Sequence, residues 1–239
     1  LCLACSTVIA VAAVALRPAQ EINKVLDKKR SVLLACALAK PDEALTAAEI
    51  ESRFGSIEPA VIDLATGDYA QGIDAASFNE DDAPRVPAPD NAAQIKDMPT
   101  QVKIYKVMKD GKLEMFVLPI YGKGLWSTLL GFMALDADFT TVRGLTYYQH
   151  GETPGLGGEV DNPLWKALWP GRKVYDDAGE VKLTVIKGQA GPVKDDPYHV
   201  DGLSGATLTA RGVTNMVHFW FGDQGYGPFL AKVRQGGSA

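Results

Sequence analysis

The sequence predicts an α+β protein: an N-terminal transmembrane helix, then a domain with an antiparallel-rich sheet and packed helices. Three stretches predict it. Leu1 to Leu16 is apolar or small almost throughout. Val102-Lys-Ile-Tyr-Lys-Val107 alternates, Lys109-Asp-Gly-Lys112 has turn composition, and Leu113 to Tyr121 returns, which is the pattern of a β-hairpin. Near the other end, Val213, Met216, Val217 and Trp220 recur at three- and four-residue steps, the period of a helix.

Taken in order, the first element is the apolar run, which ends at Arg17-Pro18. A membrane span needs about 20 apolar residues. The run is shorter and the chain starts without methionine, so the span is expected to begin upstream. A secretory signal is the competing reading. A retained anchor is favoured, because no small-x-small cleavage pattern follows and the helical pattern continues through 19–39. Pro41-Asp42 stops that segment, and Thr46-Ala-Ala-Glu49 fits a capping box for a short helix through Phe54. Asn79 to Pro99, rich in Asp, Pro and Ala, reads as an extended excursion with little core. The hairpin comes next, and Gly131 to Leu135 and Thr140 to Gln149 add strands. Asp161-Asn162-Pro163 opens a helix carrying Trp165, Leu168 and Trp169, with proline at a favoured early position. Val181 to Lys187 is the last strand. The resulting division is 1–18 anchor, 19–100 supporting region and 101–239 main domain.

Composition narrows the function classes. The chain has 239 residues and a net charge of −5, with no basic stripe for a nucleic-acid backbone. No nucleic-acid partner is expected. Its three cysteines are Cys2, Cys5 and Cys36, so the main domain has neither a disulfide framework nor a cysteine cluster. His150, His199 and His218 are widely spaced, and no metal site is expected.

The chemistry concentrates in Asp201-Gly202-Leu203-Ser204-Gly205-Ala206-Thr207-Leu208-Thr209. It reads as a tight turn opening the last long helix. The first N–H groups of a helix lack partners and carry the positive end of the dipole, so a phosphate can sit against bare backbone there. Ser204, Thr207 and Thr209 set hydroxyls beside that spot. On this physics alone a plain helix cap is the favoured reading, since a hydroxyl-rich turn before a helix is more often a cap than a cofactor site.

The order Asp-Gly-Leu-Ser-Gly-Ala-Thr resembles the flavinylation motif of covalent-FMN proteins. Together with Gly212-Val213 and Phe219-Trp220, it is similar to the C subunits of sodium-translocating NADH:quinone oxidoreductases, within the FMN-binding domain family. Two further loops share the resemblance. Gly122-Lys-Gly124-Leu-Trp126 looks like the family's Gly-x-Gly-x-Trp element, and Glu152-Thr153-Pro-Gly155-Leu156-Gly157 like its Glu-Thr-Pro-Gly-Leu-Gly signature. The resemblance implies FMN held covalently by a phosphoester to Thr207, with Ser204, Gly205 and Ala206 at the attachment turn. It implies Trp126 as an aromatic face, Glu152 and Thr153 as partners of polar ring edges, and Leu156 with Gly157 along the ring. Lys187 and His199 are possible cations near the phosphate or ring. Asp201 is expected to order the turn or to be read by the transferase, Tyr147 and Tyr148 to pack, and His150 to be structural.

The same resemblance implies an electron-transfer subunit of a sodium-pumping NADH:ubiquinone reductase, a translocase. It would relay electrons from an iron–sulfur centre to another flavin. Its partners would be the other subunits, the lipid bilayer and a magnesium-dependent flavin transferase that donates FMN from FAD. Alternatives are the G subunit of the related ferredoxin:NAD oxidoreductase complex, a stand-alone membrane-anchored flavoprotein, or an anchored structural protein without flavin. The family places the domain on the periplasmic side of the bacterial inner membrane. Arg17, Lys24, Lys28, Lys29 and Arg30 after the span favour the cytoplasm by the positive-inside rule.

Overall fold

The computed structural model describes residues 2–236. The first element, α1 (Cys2–Ala35), is a single 34-residue helix, so the apolar run and the helical segment after it are continuous through Pro18. At about 1.5 Å per residue such a helix is about 50 Å long. Cys5–Ala35 is long and apolar enough to cross a membrane. Cys2 and Cys5 are exposed. The opposite end of the helix is part of the domain: Val32, Leu33 and Ala35, with Cys36 and Ala39 just beyond, are buried. Burial pushes the Cys36 thiol up to about 11, so it packs as a small apolar group.

The capping box forms as expected at α2 (Ala47–Phe54): Thr46 Oγ1 accepts from Glu49 N–H, and the Glu49 carboxylate accepts from Thr46 N–H. Two strands that pattern reading missed follow, β1 (Ile57–Asp63) and β2 (Asp68–Tyr69). Pro59 and Ala60 break the alternation of β1, yet it pairs with seven residues of the strand beginning at Gln101. The sheet therefore takes strands from both sides of residue 100. The Asp/Pro-rich excursion carries a small ribbon, β3 (Arg85–Pro87) and β4 (Asp97–Pro99). Contrary to expectation it contributes core, because Ala83, Ala93, Ile95 and Met98 are buried. These few apolar residues are spread among prolines and so showed no period.

The hairpin appears where expected, as β5 (Gln101–Lys109) and β6 (Lys112–Lys123). Asp110 and Gly111 between them both have positive φ, the requirement of a tight two-residue hairpin loop. β7 (Thr128–Asp136) and β8 (Val142–Gln149) complete an antiparallel sheet in the order β2-β1-β5-β6-β7-β8. The helix expected through Trp169 is one turn, α3 (Pro163–Lys166), since Pro170-Gly171 cannot continue it. The strand expected over 181–187 shrinks to β9 (Thr184–Val185), which pairs in parallel with β10 (His199–Val200) outside the main sheet. Gly188, at φ +87°, turns the chain away. α4 (Thr207–Phe221) and α5 (Gly227–Arg234) close the described chain.

The sheet is buried on both faces. Phe116, Leu118, Ile120 and Met133 pack against Val213, Met216 and Val217 of α4 and Phe229 and Leu230 of α5. Met115, Val117, Phe132 and Ala134 pack against Val32 and Leu33 of α1. This explains the unbroken apolar run of β6: a central strand covered on both sides has no polar face. Trp220 Nε1 donates to the Tyr121 carbonyl at 2.7 Å and Tyr226 Oη to the Pro119 carbonyl at 2.6 Å, tying the helical layer to β6.

Candidate functional site

α4 begins at Thr207, and no side chain caps it. Its first helical bond runs from Ala210 N–H to the Ala206 carbonyl, so the N–H groups of Thr207, Leu208 and Thr209 lack a helical partner. Gly205 takes φ +70°, which a side chain would strain, and a Cβ there would also lie 2.9 Å from Leu156 Cδ2. Asp201, at the entry to the turn, is held by two bonds. Its Oδ1 accepts from Ala190 N–H at 2.9 Å, and its carbonyl accepts from Trp165 Nε1 at 2.9 Å.

The two threonines of the motif are not equivalent. Thr209 is 0% exposed, and its Oγ1 donates to Glu152 at 2.7 Å. Thr207 is exposed and its hydroxyl makes no hydrogen bond among the described residues. It opens onto a cavity of about 650 Å³ between the 184–189 segment, the turn and one side of α4. That volume suits a medium-sized ligand. Ser204, Lys187 and Arg211 line the same cavity. Lys187 thus shares a cavity with Thr207. His199 does not: its Nδ1 is bonded to Asp196 at 2.6 Å, and it borders a separate hollow with His218. Arg211 was missed, although helical spacing puts it one turn after Thr207 on the same side.

The other two loops meet the motif at Glu152. This residue is 5% exposed. Its Oε1 accepts from Trp126 N–H and Ser127 N–H, both at 2.9 Å, and from Ser127 Oγ at 3.2 Å. Its Oε2 accepts from Leu125 N–H at 3.2 Å and from Thr209 Oγ1 at 2.7 Å. The carboxylate is therefore occupied by the protein, where sequence reading had it meet a ring edge. Space for it exists only because two neighbours lack side chains: a Cβ on Gly124 or on Gly157 would lie 2.7 Å from a carboxylate oxygen. Burial acts to raise the Glu152 pKa, but the hydrogen bonds from Thr209 and from the Ser127, Trp126 and Leu125 N–H groups outweigh it and hold it below its ordinary value of 4.5. Such a group stabilises the fold fully above that ordinary value and ceases to as pH falls through the lowered one. Acid unfolding of Glu152→Gln should therefore show a shallower loss of stability below pH 4.5 than the parent, measured by urea midpoints across pH.

The remaining predicted residues fall around this point. Trp126 is 68% exposed and Leu156 45%, so both offer apolar surface to a ligand. Thr153 is exposed, and its carbonyl accepts from Leu156 N–H and Gly158 N–H. Gly157 is buried against Thr209 and Glu152. His150 is structural: Nδ1 accepts from Glu152 N–H while Nε2 pairs with Asp161 at 2.7 Å. Tyr147 is buried and Tyr148 half-buried, as packing residues should be. Gly212 of α4 lies against the Lys123 carbonyl and Gly124, so a Cβ would force the helix from the loop. Gly212→Ala should cost about 1–3 kcal/mol, measured as a lowered urea midpoint.

Residues 124–222, which contain this whole constellation, match the FMN-binding domain family. Over nearly its full length the chain is similar to the C subunit of the Na(+)-translocating NADH-quinone reductase of Yersinia pestis, at 46% identity across 99% of this chain and 90% of the relative. Its counterpart in Pseudomonas aeruginosa is 45% identical, with 98% and 93% covered. Among solved structures, Shewanella oneidensis NqrC superposes with a TM-score of 0.77 at 36% identity, covering 87% of this chain and 96% of that one. The C subunit of the Na(+)-translocating NADH-quinone reductase from Parabacteroides distasonis superposes at 0.69 with 27% identity, covering 90% and 96%.

Proposed function

Because the chain belongs to the family of Na(+)-translocating NADH-quinone reductase C subunits, we propose that it carries FMN covalently on Thr207 and serves its complex as an electron relay. The observation that carries the attachment point is the contrast between the two threonines. Thr209 is buried and bonded, whereas Thr207 presents a free hydroxyl to the cavity at an uncapped helix start.

The surroundings suit a flavin phosphate. Unpartnered N–H groups of α4 and the cations Lys187 and Arg211 stand where phosphate charge would lie. Trp126 and Leu156 supply apolar surface for a planar ring, with Thr153 and Ser204 as polar neighbours. A threonine hydroxyl is a weak nucleophile, and its deprotonation falls to a separate transferase. The Oγ1–P bond forms as the pyrophosphate of FAD breaks and AMP leaves. Bound there, FMN supplies one-electron chemistry between an iron–sulfur donor and another flavin in neighbouring subunits.

α1 anchors the protein in the bacterial inner membrane, with the domain on the periplasmic side. There a covalent tether keeps a cofactor that diffusion would otherwise remove. Sodium passes through partner subunits, since a lone helix cannot enclose a pathway. The deciding measurement is intact mass with peptide mapping of Ser204 to Arg211 in the assembled complex. One FMN on Thr207 is the expected result. A bare segment in an active complex would refute the proposal.

A further inference from the structure

We infer that Glu152 is the positioning residue of the flavin site: its buried carboxylate locks the Trp126 loop, the Leu156 loop and the start of α4 into one arrangement, and so governs how readily Thr207 is modified and what surroundings the attached flavin senses. This role rests on Thr207 being the attachment point, as proposed above.

Every donor to this carboxylate comes from the Trp126 loop or from the first turn of α4, where the attachment point lies. Leu125, Trp126 and Ser127 give three consecutive backbone N–H groups, Ser127 adds its hydroxyl, and Thr209 gives the hydroxyl two residues after Thr207. Glu152 itself sits four residues before Leu156 in the third segment. A second link closes the ring: Ser127 Oγ accepts from Gly151 N–H at 2.7 Å. An ionised carboxylate only accepts and offers about four lone-pair sites, so these five donors use all of its capacity. Removing it would take from the N–H groups of Leu125, Trp126 and Ser127 the partner that holds their loop.

The geometry also separates the two motif threonines by task. Thr209 is the hydroxyl that fastens α4 to Glu152, which leaves Thr207, two residues earlier, aimed elsewhere with its oxygen free. Any slackening of the Glu152–Thr209 bond lets the helix start move relative to Trp126 and Leu156. The same change would act on flavin transfer and on the flavin afterwards, without any contact between Glu152 and the cofactor.

Three full-length variants in lipid nanodiscs test this: Glu152→Gln, Thr209→Val and Thr209→Ser. Each is incubated with FAD, magnesium and the flavin transferase, and loading is followed by intact mass. Glu152→Gln and Thr209→Val should load at least threefold more slowly and give an attached flavin with altered visible absorption and circular dichroism. Thr209→Ser keeps the donor and should restore both. Before loading, hydrogen exchange in Glu152→Gln and Thr209→Val should rise at 122–127, 155–158 and 207–209 and stay unchanged in the 101–121 hairpin. Loading at the parent rate with an unaltered flavin spectrum in both variants would overturn the inference while leaving Thr207 as the attachment point. A parent chain that takes no FMN would overturn the reading of Thr207 and this inference with it. The exchange data, collected without flavin, would then still report whether the carboxylate holds the three segments.

Discussion

Thr207→Val is expected to give a folded chain with no attached flavin: intact mass equal to the bare polypeptide, no fluorescent band after denaturing electrophoresis, and no electron transfer through the complex that contains it. The substitution removes the oxygen proposed to form the phosphoester and keeps the β-branched shape. The side chain is exposed at the first position of α4 and bonds to nothing among the described residues. The cost to stability should therefore stay within about 0.5 kcal/mol, the usual range for surface positions of this kind. The controls follow from the same geometry. Ser204→Ala removes a hydroxyl that lines the same cavity and should retain the flavin. Thr209→Val should also retain it, at a reduced loading rate, because that hydroxyl is turned to Glu152. A fluorescent, mass-shifted Thr207→Val chain would refute the assignment, and mapping would then have to place the flavin on Ser204 or Thr209.

What the sequence made legible was local. The Thr46–Glu49 capping box, the Asp110-Gly111 hairpin and the helical period after Thr207 each depend on residues a few positions apart, and each appears in the fold. What it hid was long-range. β1 carries Pro59 and Ala60 where alternation would call for larger residues, and it is a strand because β5 and the core behind it hold it there. The short β9 exists only through its parallel pairing with β10, beyond the loop that follows it. The site divides in the same way. Thr207, Trp126 and Leu156 could be named from motif order, and the fold brings their segments together. That Glu152 would spend its carboxylate on Leu125 to Ser127 and Thr209 is a tertiary fact. Gly124 and Gly157 were the only trace of it, since glycines on both sides of an acidic residue's position mark a close approach rather than a flexible loop.

A chain shortened to begin at Glu43 is expected to aggregate, whereas one beginning at Lys24 should remain a folded monomer. The shorter form lacks Val32, Leu33, Ala35, Cys36 and Ala39, all buried against the sheet, and uncovers Met115, Val117, Phe132 and Ala134. Burial of a Val or Leu side chain is worth about 1.5–3 kcal/mol. Losing two of them, together with the cover they give to four sheet residues, approaches the whole stability of a typical domain, about 5–15 kcal/mol. The apolar patch left behind is of the kind that drives association. The contact is too close to re-form loosely: a Cβ on Gly144 of β8 would collide with the Ala35 carbonyl, so Gly144→Ala should weaken the same interface. Size-exclusion chromatography and urea unfolding of the two chains decide the matter, and a monomeric Glu43 chain with an unchanged midpoint would show that α1 is dispensable to the domain. The sheet also separates this interface from the flavin segments, because α1 covers one face and α4 the other. Leu33→Ala should accordingly cost about 2–5 kcal/mol yet leave the spectrum of the attached flavin unchanged, whereas Glu152→Gln should alter that spectrum. Membrane anchoring and cofactor placement are thus two mechanical tasks on opposite sides of one sheet, and the pair of variants tells them apart.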